Sequence, residues 1–124
     1  MRAIVVDDSR AMRLILKRIV GQIGFEVFEA EDGQAALDLL GTLDPLPNLA
    51  LVDWNMPNMN GLEFLAEMKA DAQIAGTPVI IISTEGKEED TARGIEAGAL
   101  AYIKKPFHRE EILEVISRLE KGAA

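Results

Sequence analysis

LALVDWN, residues 49–55, is the stretch on which the reading of this chain turns. Leu49, Ala50, Leu51 and Val52 make a continuous apolar run, short enough to be a strand buried on both faces. The run stops at a carboxylate, Asp53. Ala3, Ile4, Val5 and Val6 form a second such run, and it stops at the paired acids Asp7 and Asp8. If the two strands lie side by side, three carboxylates converge at one end of a sheet. Like charges held that close call for a cation.

The remaining segments supply a frame for those strands. Met12, Ile15, Leu16, Ile19, Val20 and Ile23 recur at helical spacing over residues 9–23, with Arg10, Arg13, Lys17 and Arg18 as the polar positions between them. Ser9 is placed to cap that helix and Gly24 to end it. Phe25, Val27 and Phe28 indicate a second strand. Asp32-Gly33 opens a short helix that turns Ala36, Leu37 and Leu40 inward, and residues 41–48, with Pro45 and Pro47, form the loop to the central strand. Beyond Asp53, residues 55–61 are turn formers. Asn60 is expected to cap a helix with Leu62, Leu65 and Met68 on its inner face and Phe64 at its edge. Val79, Ile80, Ile81 and Ile82 are the plainest strand signal of the chain, and Ser83 ends it. Residues 85–89 read as loop and 90–97 as a helix weakened by Gly94. Residues 100–103 read as a fifth strand, followed by Lys104, Lys105, Pro106 and Phe107. His108 reads as a surface residue before a last helix carrying Ile112, Leu113, Val115, Ile116 and Leu119 on one side.

Strand and helix alternate five times with short connections, which predicts a single α/β domain, a doubly wound parallel sheet covered by helices on both faces. In such sheets a ligand crevice opens beyond the carboxyl ends of the strands. Asp7, Asp8, Asp53, Ser83 and Lys105 all fall at or just past such ends.

Composition narrows what the crevice serves. The 124 residues fit one domain, and a hydrophobic content of 48% supports a proper core. With 21 acidic against 13 basic residues the formal charge is -8, which argues against direct contact with nucleic acid. The absence of Cys removes disulfides and thiolate chemistry, and a single His removes a His-rich metal site. Residues 1–6 run straight into a strand without the pattern of a signal peptide, and no apolar run approaches the roughly 20 residues of a membrane span. A cytoplasmic protein without membrane insertion is expected.

Three carboxylates with Lys105 sum to about -2 in their usual ionisation states. One divalent cation would neutralise that, and an all-oxygen ligand set suits Mg2+. Carboxylates are also established nucleophiles that form acyl phosphates. A phosphoryl group on Asp53 would add charge and acceptor oxygens that the metal, the Lys105 ammonium and the Ser83 hydroxyl are placed to bind.

The pair Asp7-Asp8, the segment Asp53-Trp54-Asn55-Met56-Pro57 with Gly61 following, the strand ending in Ser83, and Lys105-Pro106-Phe107 together resemble a response-regulator receiver domain of the stand-alone chemotaxis (CheY) type. The resemblance covers residues 1–124 and implies a (βα)5 flavodoxin-like fold with strand order 2-1-3-4-5 and no output domain. It implies that Asp53 is the phosphoacceptor, charged by a histidine kinase. Asp8, Asp53 and the main-chain carbonyl of Asn55 would bind Mg2+ directly and Asp7 through a water. Lys105 and Ser83 would bind the phosphoryl group, and Ser83 and Tyr102 would be the moving parts of a switch. Asn55 and Glu85 would set the rate of self-dephosphorylation. The expected product is a signalling module rather than an enzyme. Its partners would be the kinase, a downstream protein at the face of the fourth helix, fifth strand and fifth helix, such as a flagellar motor switch, and a phosphatase. A monomer is expected. Three alternatives stand beside this: a phosphorelay intermediate or phosphate sink, a haloacid-dehalogenase-like phosphatase, and a flavin carrier. The phosphatase class wants a second acid where this chain has Asn55.

Overall fold

The computed structural model describes residues 1–84 and 88–122. Its elements are β1 (Arg2–Val6), α1 (Arg10–Gly21), β2 (Glu26–Ala30), α2 (Gly33–Leu40), β3 (Leu49–Asp53), α3 (Gly61–Ala70), β4 (Val79–Ser83), α4 (Glu88–Glu96), β5 (Ala101–Lys104) and α5 (Arg109–Gly122). The strands form one sheet of order β2-β1-β3-β4-β5, every neighbouring pair parallel. This is the flavodoxin-like arrangement expected.

Alternation along the strands divides the core into two layers. Val5, Leu51, Ile80 and Ile82 face α1 and α5, meeting Leu16, Ile19, Val20, Ile112, Val115 and Ile116. Val6, Val52, Val79 and Ile81 face the other way, onto Ala36 and Leu40 of α2 and Phe64, Leu65 and Met68 of α3. Every residue of β3 and β4 is buried, so both strands read as unbroken apolar runs up to their last residue.

Local chemistry fixes the helix starts. The Ser9 side chain accepts from the Met12 N–H, and the Asp32 side chain accepts from the Ala35 N–H. Asn60 and Glu63 form a reciprocal capping box at α3. His108 is exposed, as expected, and its N–H donates to Glu111 Oε2 at 2.9 Å ahead of α5.

Several sequence expectations need correction. Ile15 and Ile23 carry the helical period of α1 but are exposed, because α1 ends at Gly21 and rests on Leu16, Ile19 and Val20. Phe64 lies at the centre of the α3 contact and Leu62 is only half-buried, because the helix is rotated toward β3 and β4. α4 begins at Glu88, so its first turn holds Glu88, Glu89 and Asp90, where acids complement the helix dipole. β5 starts at Ala101, leaving Leu100 exposed before it. Of the loop expected at residues 85–89, Glu85, Gly86 and Lys87 lie outside the described residues.

Candidate functional site

Sheet register brings the site together. β1 and β3 pair through Val6 and Val52, so one further residue on each sets Asp7 beside Asp53. Asp53 pairs with Ile82, and Ser83 pairs with Lys104, which carries the ends of β4 and β5 to the same edge. The Lys105 N–H donates to the Ser83 carbonyl at 2.7 Å. From that anchored backbone the Lys105 ammonium reaches Asp7 Oδ2 at 3.2 Å and Asp53 Oδ1 at 3.3 Å.

Asp7 is buried and engaged on every polar group. Its N–H donates to the Ala30 carbonyl at 3.1 Å. Its own carbonyl accepts from Arg13 Nη1 at 2.7 Å, Oδ1 accepts from the Ser9 N–H at 2.8 Å, and Oδ2 takes Lys105. Asp8, the next residue, is exposed. Carboxylate oxygens of Asp7, Asp8 and Asp53 come within 4.8 Å of one another. An oxygen-only cluster with one exposed and two buried members fits a small hard cation such as Mg2+, which keeps part of its water shell.

Asp53 is only 6% exposed. Burial raises its pKa above the ordinary 3.8, and the neighbouring charge of Asp7 raises it further; the Lys105 ammonium and the Asn55 backbone N–H pull it partly back. The carboxylate is thus under-stabilised, and an added cation would relieve it. The main chain of the next residue is pinned from the far side: the Gly61 N–H donates to the Trp54 carbonyl at 2.8 Å. A Cβ on Gly61 would stand 2.7 Å from the Asp53 carbonyl oxygen, so only glycine admits this approach of α3.

The structure therefore brings together Asp7, Asp8, Asp53 and Lys105. Ser83 is fully buried at the neighbouring strand end, and Asn55 is exposed just past Asp53. Tyr102 is half-buried on β5, in edge contact with Trp54 at 5.7 Å between ring centroids. Trp54 follows Asp53 in sequence, and its ring belongs to the α2–α3 layer, with its edge beside Gly94 of α4 and Tyr102. Glu85 lies outside the described residues. Sequence reasoning passed over Arg13 as one more polar position of α1. Its signal was its place one turn into the helix that the acid pair opens.

A parallel α/β sheet of this order, with clustered aspartates and one lysine at its carboxyl edge, defines a receiver-type domain. The chain belongs to the response regulator receiver domain family, whose description matches residues 3–117. It is 39% identical over 115 residues to a chemotaxis protein CheY homolog of Campylobacter jejuni, covering 92% of this chain and 88% of that protein. It is 38% identical over 112 residues to the phosphate regulon transcriptional regulatory protein PhoB of Klebsiella pneumoniae, covering 90% of this chain and 48% of that protein. The chain thus spans about half the length of its PhoB relatives. Among solved structures, Vibrio cholerae chemotaxis protein CheY4 superposes with a TM-score of 0.85 at 31% identity, covering 94% of this chain and 96% of that one. Receiver domains are signalling modules that take phosphate from histidine kinases and act on downstream targets. Membership of that family sets the phosphatase and flavin-carrier readings aside. Among the described residues, no helix is long and apolar enough to cross a membrane.

Proposed function

We propose that the chain is a phosphorylation-activated switch in which Asp53 accepts the phosphoryl group of a histidine kinase's phosphohistidine. The observation that carries this reading is a desolvated carboxylate with an ammonium at 3.3 Å and two further acids beside it, at the edge where the strands open. In the transfer an Asp53 oxygen bonds to phosphorus as the phosphorus–nitrogen bond breaks. The ring nitrogen keeps the electron pair and takes a proton from solvent, leaving neutral imidazole. Asp8, Asp53 and the Asn55 carbonyl would hold Mg2+ directly, with Asp7 acting through a water, and the bound ion would supply positive charge for the phosphoryl oxygens. The bonds that Asp7 already accepts from the Ser9 N–H and Lys105 support its indirect role, and the exposure of Asp8 supports a direct one. Lys105 pairs with the phosphoryl group and Ser83 donates a hydrogen bond to it. Asn55 and Glu85 set how readily water removes the group.

The phosphoryl group acts by shifting a population between two packings of the strand ends, for which a differential of a few kcal/mol suffices. Ser83 and Tyr102 are its moving parts, and the output face is that of α4, β5 and α5. That face exposes Ile95 and Leu100, and Leu100, Val115, Arg118 and Leu119 line a hollow of about 270 Å³. Such apolar exposure supports docking of a protein partner. Likeness to the Campylobacter chemotaxis protein CheY homolog supports a chemotactic role, and the partner proposed for it is a flagellar motor switch. Acetyl phosphate with Mg2+ tests the acceptor: wild type takes up one phosphoryl group and Asp53→Asn takes up none. Stoichiometric labelling of the variant would overturn the assignment.

A further inference from the structure

Arg13 is a half-buried cation beside the acid cluster that the proposed chemistry does not use. Its side chain is 15% exposed. Nη1 donates to the Asp7 carbonyl at 2.7 Å, and Nε pairs with Glu29 Oε1 at 3.3 Å. Glu29 Oε2 is held in turn by Lys17 Nζ at 3.5 Å. One guanidinium thus joins α1, β2 and the residue that follows β1.

We propose that Arg13 is a positioning residue for the divalent cation site. It fixes the main chain where Asp7 and Asp8 leave the sheet, so that both carboxylates are presented to Asp53. The inference rests on the Mg2+ reading of the acid cluster. Asp7 lies one residue past Val6, the last paired residue of β1; its N–H is still held by the Ala30 carbonyl, while its own carbonyl accepts from Arg13. The Ser9 N–H and Lys105 hold the Asp7 carboxylate, but neither holds its carbonyl. That peptide group is shared with Asp8, so its rotation would swing the Asp8 carboxylate away from the cluster. The fork of an arginine can grip the carbonyl and Glu29 at once, whereas a lysine offers a single point.

Charge and positioning predict opposite signs. As a plain positive charge, Arg13 repels an incoming cation, and its removal would tighten metal binding. As a positioning residue it promotes binding, and its removal weakens it, by roughly tenfold for an outer group that orients a ligand.

The test is a Mg2+ titration by calorimetry, with Mn2+ electron paramagnetic resonance as a second probe, on wild type, Arg13→Met, Arg13→Lys and Glu29→Gln. Circular dichroism establishes the fold of each. The expected result is roughly tenfold weaker binding in Arg13→Met and in Arg13→Lys, with a smaller loss in Glu29→Gln. Equal or tighter binding in folded Arg13→Met overturns the inference. If that variant does not fold, wild-type affinity in Arg13→Lys overturns it instead. Failure of the wild type to bind either ion overturns the metal reading and this inference together, whereas wild-type binding that no variant alters overturns this inference alone.

Discussion

Asp7 and Asp53 stand at the ends of neighbouring strands, are 1% and 6% exposed, and share a single ammonium, yet the balance of charge differs between them. Asp7 is satisfied on its N–H, its carbonyl and both carboxylate oxygens. Asp53 is pushed by burial and by Asp7 toward its protonated form, with Lys105 and one backbone N–H only partly opposing that. The difference separates an acid used as scaffold from an acid left with unspent affinity for positive charge. Each carboxylate accepts from Lys105 and from one backbone N–H, so what sets Asp53 apart is the net cost of its burial beside Asp7, a cost that an added positive charge would offset.

The largest expected effect falls on the residue both acids share. Lys105→Met strands two buried carboxylates and should lower stability by roughly 3 kcal/mol in metal-free buffer, read by denaturant unfolding. Adding Asp53→Asn to it should restore part of that loss. Unchanged stability would mean that the ammonium does not hold the two acids together.

The contrast itself is tested next by single replacements of opposite sign. Asp7→Ala removes the acceptor of the Ser9 N–H and of Lys105 and should cost about 2 kcal/mol. Asp53→Asn should instead stabilise the metal-free protein at neutral pH. A carboxyl whose folded pKa is raised binds more protons folded than unfolded, so wild-type stability falls as pH rises from near 3.8 through the folded pKa and stays lower above it. The advantage of Asp53→Asn should therefore vanish below pH 3.8 and be complete above the window. Thermal unfolding at a series of pH values reads both, and a loss of stability in Asp53→Asn at neutral pH would break the comparison. The smallest effect concerns how the main chain beside Asp53 is held: Asn60→Ala removes the capping box of α3 and should cost about 1 kcal/mol. A cost well under this would mean that Gly61 and the core packing of Phe64 alone seat the helix.

The convergence of these acids, though not the difference between them, is legible in the sequence. Apolar runs that end in acids are conspicuous because a parallel sheet buries strands on both faces, so Leu49 to Val52 carry no polar alternation to blur them. Turn and capping residues such as Ser9, Asp32 and Asn60 act through their nearest neighbours and are visible for the same reason. Strand order was not written in the periodicity and came with the family resemblance. What depends on tertiary packing was missed: the rotation of α3 that buries Phe64 in place of Leu62, the seating of the Trp54 ring in the α2–α3 layer, and the exposure of Ile15. Arg13 was missed because a bond from a side chain to a main-chain carbonyl leaves no mark on amphipathic spacing.

The most direct measurement is reductive trapping of the acyl phosphate with borohydride after incubation with acetyl phosphate, followed by peptide mass spectrometry. The account predicts reduction at Asp53 alone, dependent on Mg2+ and abolished by a chelator. Reduction at Asp7 or Asp8, or equal trapping at Asp53 without the metal, would contradict it.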